Sequence, residues 1–383
     1  MAQYFTERLE KVFHMIFKSY NQEMAQEGLR QLELIVNNQQ SPEQTKHQAL
    51  RNDMTTSLEN EINTKEDALK IANDQESREI ADAYALLARI YAGPRFTWEE
   101  SNFPENNMRT YQCLHDSIRR CSPIGTLQAL RINGTITPTV EKDMLISFND
   151  AFRIVYNYAE QGDAFCQYII GNVFFWRDDD RISLARDMIT PPRLSWAKRI
   201  QQSLQKGSIQ ERIGALQGTV SDETLQENAT IFAKEWFNKA LNNGLAMFQG
   251  NLRNIYIDEG DFDNARRVAL TAAELGNPTM MLYTGLDCHE HGKFEDAFTW
   301  FTKSASLGQA ESTAELADYY YHFYDTKELR RLIPYNPVKA IGLYRRAATK
   351  HFSDAGYAAL QAAFGYIFHI GHLPLDWGLI ADL

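Results

Sequence analysis

Blocks that begin on alanine and end on a glycine eleven positions later recur at a fixed distance in this 383-residue chain. Ala233 to Gly244, Ala265 to Gly276 and Ala297 to Gly308 start 32 residues apart. A period of that length means stacked units, each too small to bury its apolar face alone. A fourth block, Ala340 to His351, follows after 43 residues, and the additional stretch falls near Asp325 to Asn336, where Pro334 and Pro337 mark an inserted loop. An earlier block, Ala151 to Gly162, begins 82 residues before Ala233. That interval has room for a further unit around Trp196 to Gly207 and an irregular stretch containing Pro191 and Pro192.

The residues within a block explain the period. Ala297, Trp300, Phe301, Ala305 and Gly308 fall at i, i+3, i+4, i+8 and i+11, along one face of a helix. Small residues at Ala297 and Ala305 let a neighbouring helix approach, while Trp300 and Phe301 are expected to fill the core, as is Trp236 in its block. Gly308 ends the helix in a left-handed conformation and reverses the chain. The partner helix follows the glycine: Ala164, Tyr168, Gly171 and Phe174 recur at helical spacing, and Ala246, Gly250, Arg253 and Tyr256 hold the matching places. Gly260 and Gly292 close this helix ahead of Phe262 and Phe294.

The stretches Gly162 to Phe175, Asp296 to Gly308 and Lys339 to Ala355 resemble the Sel-one-like repeats, relatives of the tetratricopeptide repeats. The resemblance is strongest over 230 to 365 and clear at 151 to 176. Ala265 to Gly276 departs from it, with Val268 and Ala269 where an aromatic pair is usual, so looser packing is expected there. The resemblance implies an all-α, right-handed superhelical solenoid of antiparallel helix-turn-helix repeats.

Four regions are expected: an N-terminal helical section of degenerate tetratricopeptide-like units over 1–150, a repeat with an irregular insertion over 151–232, regular repeats over 233–365, and a capping tail over 366–383. In the first, Leu9 to Phe17 and Leu29 to Val36 read as amphipathic helices and Ala81 to Tyr91 as the first helix of a tetratricopeptide-like unit. Asn37 to Gln48, rich in Gln and Asn, reads as a linker, and Gly93 to Asn107 as a long connection.

Composition narrows the partners. With 44% hydrophobic and 23% charged residues and no run of 18 apolar ones, the chain reads as folded and without a membrane span. A net charge of −11 opposes the phosphate backbone, so nucleic acid is not expected as a partner. Cys113, Cys121, Cys166 and Cys288 form no CxxC pair and read as reduced thiols. No apolar segment with a small-residue cleavage site follows Met1 to Glu10, so a cytoplasmic location is expected, with export through a signal-peptide-independent system as the other route.

Catalytic motifs of the GxGxxG, GxSxG, HExxH and P-loop kinds do not occur. Cys288-His289-Glu290-His291 has the composition of a metal cluster, but i and i+2 on a helix point about 200° apart, so it reads as a solvent-facing helix end. Asp178-Asp179-Asp180 lacks the alternation and glycine of a calcium loop and reads as a solvated turn. No cofactor and no catalytic residue is assigned, and a non-enzyme is expected.

The resemblance implies a protein-interaction scaffold or adaptor of bacterial origin that holds a partner along a concave groove. It is also compatible with a secreted bacterial effector or an immunity protein that acts by binding, and with an enzyme whose site lies in 93–150 or 177–232. In tetratricopeptide-like stacks the first helix of each unit lines the inner curve. Its positions left over from packing are Asn251, Asn254 and Asp258, then Tyr283 and Glu290, then Glu311, Glu315, Asp318 and His322. This acidic, amide-rich set predicts a protein or peptide partner with a basic segment, its backbone bonded by the asparagines and its Lys or Arg met by the carboxylates. The related domains that grip acidic chaperone tails use Lys and Arg at such places, so that class of ligand is not expected.

Overall fold

In the computed structural model, Gly162, Gly244, Gly260, Gly276, Gly292 and Gly308 all take a left-handed φ, between +72° and +102°. Each closes a helix in the same way: the glycine N–H donates to the carbonyl three residues back, and the next N–H to the carbonyl five back, as in Gly308 to Ala305 and Gln309 to Ser304. Except after Gly244, the following residue is the N-cap of the next helix. Asp163, Asn277 and Gln309 accept through their side chains from the backbone N–H of Cys166, Met280 and Ser312. Glycine followed at once by a capping residue is thus the hinge of the repeat.

The structure describes residues 3–37, 65–93, 96–98, 101–132, 144–191, 220–247, 249–324, 326–349, 355–368 and 370–373, with Lys198 and Gln205. The expected unit around Trp196 to Gly207 and the linker over 38–48 lie outside them, as does His351. Secondary structure among the described residues is entirely helical. They divide into two compact units, one within Met1–Phe13, Gly28–Gly93 and Pro104–Leu245, the other within His14–Glu27, Pro94–Phe103 and Ala246–Leu383.

Helices α1 (Glu7–Phe17) and α2 (Gln22–Asn37) each run through a boundary of this division. The first unit holds α3 (Lys65–Asn73), α4 (Gln75–Tyr91), α5 (Asn107–Arg119), α6 (Pro123–Ile132), α7 (Phe148–Glu160), α8 (Ala164–Phe175), α9 (Ser183–Ile189) and α10 (Asp222–Asn242). The region 93–150 is therefore more regular than its sequence suggests, because α5 and α6 pack as consecutive neighbours against α4. Helices α8 and α10 form a repeat pair although the segment between them is long.

The second unit continues with α11 (Gly250–Asp258), α12 (Phe262–Glu274), α13 (Pro278–Glu290), α14 (Phe294–Ser306), α15 (Ala310–Tyr321), α16 (Lys327–Leu332), α17 (Pro337–Ala348) and α18 (Ala355–Ile367). Successive long helices pack on one another along the chain, which is the stacked-hairpin arrangement. The inserted loop near Asp325 to Asn336 contains α16, whose Leu329 joins the cluster of Phe301, Leu316, Tyr319 and Ile333. Helix α11 starts later than the sequence pattern implies: Leu245, Ala246 and Met247 precede it as buried non-helical residues.

A size exchange repeats across each pair. Nine residues beyond the turn glycine stand Gly171 and Gly285, and a Cβ there would come within 2.6 Å of the Phe237 and Phe301 rings respectively. The same position in α15 is Ala317, in one cluster with Tyr344. In α11 it is Arg253, opposite the block that carries Ala269 instead of an aromatic. Trp300 departs from expectation. Phe301, Ser304 and Ala305 are buried with Ala297, whereas Trp300 flanks that face, half-buried, under the Lys303 ammonium at 4.6 Å. Trp236 is 2% exposed because Tyr156 packs edge-on against it at 5.4 Å. The equivalent of Tyr156 in the block before Trp300 is Leu270, which is itself exposed.

Candidate protein-interaction face

The residues expected to face a partner fall on four register positions of the first helices. Asn251, Tyr283 and Glu315 stand seven residues beyond Gly244, Gly276 and Gly308, and all three are half-buried. Asp258, Glu290 and His322 stand fourteen beyond, with the two carboxylates exposed and the histidine half-buried. At ten residues beyond, Asn254 is exposed and Asp318 buried. Glu311, nearer the turn, is half-buried.

Contacts along these positions are specific. The Arg253 guanidinium stacks over the Tyr283 ring at 3.9 Å, tying α11 to α13 and placing a cation within the acidic set. Sequence spacing placed Arg253 among the packing residues, and its size at a glycine position was the signal that it must do something else. Tyr324 donates its hydroxyl to Glu315 Oε2 at 3.0 Å. This contact holds the carboxylate to the insertion that follows α15.

Two members of the set serve the core. Asp318 is 7% exposed, and its Oδ1 accepts from the hydroxyls of Tyr344 and, at 3.1 Å, Tyr357. Burial pushes its carboxyl above the usual range although both tyrosine hydrogen bonds pull the other way. The expectation of a groove-facing carboxylate is corrected here, because Tyr344 of the following block and Tyr357 of α18 cover it. His322 ends α15 in a left-handed conformation, φ 56°, and its Nε2 lies 2.8 Å from the Ile333 carbonyl. The inserted segment is thus pinned through the His322 ring.

The Cys288 to His291 stretch also differs from a plain solvent-facing helix end. His289 Nδ1 lies 2.7 Å from the Tyr319 hydroxyl, and its ring packs on Phe294 and Tyr324. Burial holds its imidazole below the usual value. His291 and Glu290 are exposed, as expected. The Asp178 to Asp180 run is likewise not a solvated turn. Asp179 accepts from Arg177 Nε at 2.8 Å and from Arg186, and Asp178 from Arg131 Nε at 3.1 Å. Burial raises the Asp179 carboxyl, but the hydrogen bonds and charges of the two arginines outweigh it and hold it below the ordinary range. Arg131 lies far off in sequence, so spacing alone does not reveal the pairing.

No helix among the described residues is long and apolar enough to cross a membrane. The fold and this face define an α-helical repeat protein built from stacked hairpins. No protein-family model matches the chain, and no curated protein matches it. Among solved structures it is similar to a Sel1 repeat protein from Oxalobacter formigenes, 15% identical, covering 73% of this chain and 89% of that one with a TM-score of 0.34. It is also similar to a protective antigen present in uropathogenic Escherichia coli strains and displaying an SLR fold, 15% identical, covering 97% of this chain and 81% of that one, again at 0.34.

Proposed function

We propose that the chain is a protein-interaction scaffold whose second unit presents the first-helix positions to a partner protein or peptide carrying a basic segment. The observation that carries this reading is register. Asn251, Tyr283 and Glu315 repeat at one position and Asp258 and Glu290 at another, so neighbouring units offer a periodic set of polar side chains. A periodic set suits an extended ligand, because successive residues of the ligand meet equivalent places on successive helices. Asp258 and Glu290 supply exposed negative charge, which speeds encounter with a cationic partner and sets its register.

Tyr283, backed by Arg253, offers a flat aromatic surface within the acidic set. Asp318 and His322 support the fold in this reading rather than touch the ligand. The test is affinity capture from the native host with the wild-type chain and with Asp258→Lys plus Glu290→Lys, followed by mass spectrometry and by association rates at two salt concentrations. A partner should be held by the wild type, lose its salt-dependent association with the double variant, and leave the circular dichroism of that variant unchanged. Equal capture by both chains would reject this face.

A further inference from the structure

The first unit contains a second polar helix face, and its occupant is on the page. Gln75, Arg78, Glu79 and Asp82 lie at i, i+3, i+4 and i+7 of α4, on one stripe of the helix. All four side chains bond the non-helical segment 3–6. The Gln75 amide donates to the carbonyls of Gln3 and Tyr4, the latter at 3.1 Å. Arg78 Nη2 donates to the Tyr4 carbonyl at 2.6 Å, and its guanidinium lies 4.1 Å from the Tyr4 ring centre. Thr6 donates its hydroxyl to Glu79 at 2.6 Å, and the Tyr4 hydroxyl donates to Asp82 at 3.3 Å.

From the other side, Asp163 Oδ2 accepts the Tyr4 N–H at 2.9 Å while its Oδ1 caps α8. Both backbone groups of Tyr4 are therefore held by charged side chains, and the Phe5 ring stacks on Phe165 at 5.7 Å. Tyr4 and Phe5 are 0% and 2% exposed, and Arg78 is wholly buried beneath them. A helix interior needs none of this. Ordinary packing of a strap on a helix uses apolar contact, whereas here side chains bond the Tyr4 N–H and the Gln3 and Tyr4 carbonyls, the way a groove reads the main chain of a bound peptide. The two aromatic rings then add selectivity, since each enters a defined place.

We propose that this face of α4, completed by Asp163 and Phe165, is a peptide-binding site for a short bent segment with adjacent tyrosine and phenylalanine, filled in cis by residues 3–6. A site filled by its own chain shows a reduced apparent affinity for an external ligand in proportion to the fraction of time it stands open. Emptying the site of its own aromatic rings exposes it.

The experiment uses the full-length chain carrying Tyr4→Ala and Phe5→Ala, and a labelled, end-blocked hexapeptide of residues 2–7. Fluorescence polarisation should show saturable binding to the variant, at least about tenfold tighter than to the wild type, whose site is occupied. The peptide should also raise the melting temperature of the variant and not that of the wild type, and a peptide with alanine at both aromatic positions should do neither. A folded variant that ignores the peptide, or equal binding by wild type and variant, would overturn the proposal. Should the variant lose its helical signal, recovery of that signal on adding the peptide supports the site and failure to recover it rejects the site.

Discussion

The Phe301 ring occupies the space in which a side chain on Gly285 would have to sit, 2.6 Å from an added Cβ. Alanine is the better helix former by about 1 kcal/mol, so Gly285→Ala gains locally. Against that, the atoms in the way are aromatic carbons of a fully buried ring that has no free end to swing aside, and overpacking of this kind costs about 1–3 kcal/mol. The clash should win: chemical denaturation should show Gly285→Ala less stable than wild type, and Phe301→Ala lower still, about 3–5 kcal/mol below wild type. Trp300→Ala, on the half-buried flank, should cost clearly less than Phe301→Ala, and the reverse order would mean that the inward face of α14 is misassigned.

The hinge glycines and the hairpin stack were legible in the sequence because both follow from local rules. A left-handed turn favours glycine and a polar residue after it can cap the next helix, so Gly162-Asp163 and Gly276-Asn277 announce themselves. Which of two adjacent aromatics points inward was not legible, because Trp300 and Phe301 differ by 100° on the helix and only the neighbouring block decides. The burial of Asp318 is hidden from the sequence for a related reason. Its partners Tyr344 and Tyr357 lie 26 and 39 residues away, and a carboxylate at a surface register looks solvated until those hydroxyls are placed. The face of α4 that holds residues 3–6 is not legible in the sequence, because Gln, Arg, Glu and Asp on one helix stripe look like ordinary solvated charge.

Arg78 and Asp82 form a fully buried ion pair at 3.0 Å, with Ser122 donating to Asp82 at 2.7 Å. Burial pushes the Asp82 carboxyl up, against the pull of Arg78, Ser122 and Tyr4. Arg78→Met removes the cation and leaves a buried carboxylate without one, a change that costs about 3–5 kcal/mol. Adding Asp82→Leu to that variant should restore part of the loss, since a buried pair replaced by apolar groups is often neutral. Urea unfolding of the two variants measures both effects, and a double variant no better than the single one would show that packing rather than charge sets the cost.

Asp318 supplies a pH dependence whose sign follows from its surroundings. Burial raises its carboxyl above the unfolded value, so the folded state binds the proton more tightly than the unfolded chain does. Its contribution is present in full below the ordinary carboxylate range and is lost as pH rises through the raised folded value. His289 acts in the opposite direction: burial lowers its imidazole, and the stability it lends at neutral pH is lost as pH falls through its lowered folded value. Melting temperatures of Asp318→Asn and wild type across pH 3 to 8, expected from these directions, should diverge as pH rises, with the variant declining less. Parallel curves would show that Asp318 titrates alike in both states.

Asn277 joins two turns at once. Its Oδ1 accepts from the Met280 N–H at 3.0 Å, capping α13, while its Nδ2 donates to the Ala246 carbonyl at 2.9 Å, 31 residues back in the preceding hinge. The residue is 8% exposed, so neither bond has water as a ready substitute. Asn277→Asp keeps the cap, and its charge suits a helix N-terminus, but it replaces the amide donor with an oxygen facing a carbonyl. Asn277→Ala loses both bonds. Loss of an N-cap costs about 1 kcal/mol, and a buried carbonyl left without its donor about 1–3 kcal/mol more. Denaturant midpoints should therefore rank wild type, then Asn277→Asp, then Asn277→Ala. If the aspartate variant matched wild type, the bond to Ala246 would carry no weight and the junction between these hairpins would rest on apolar packing alone.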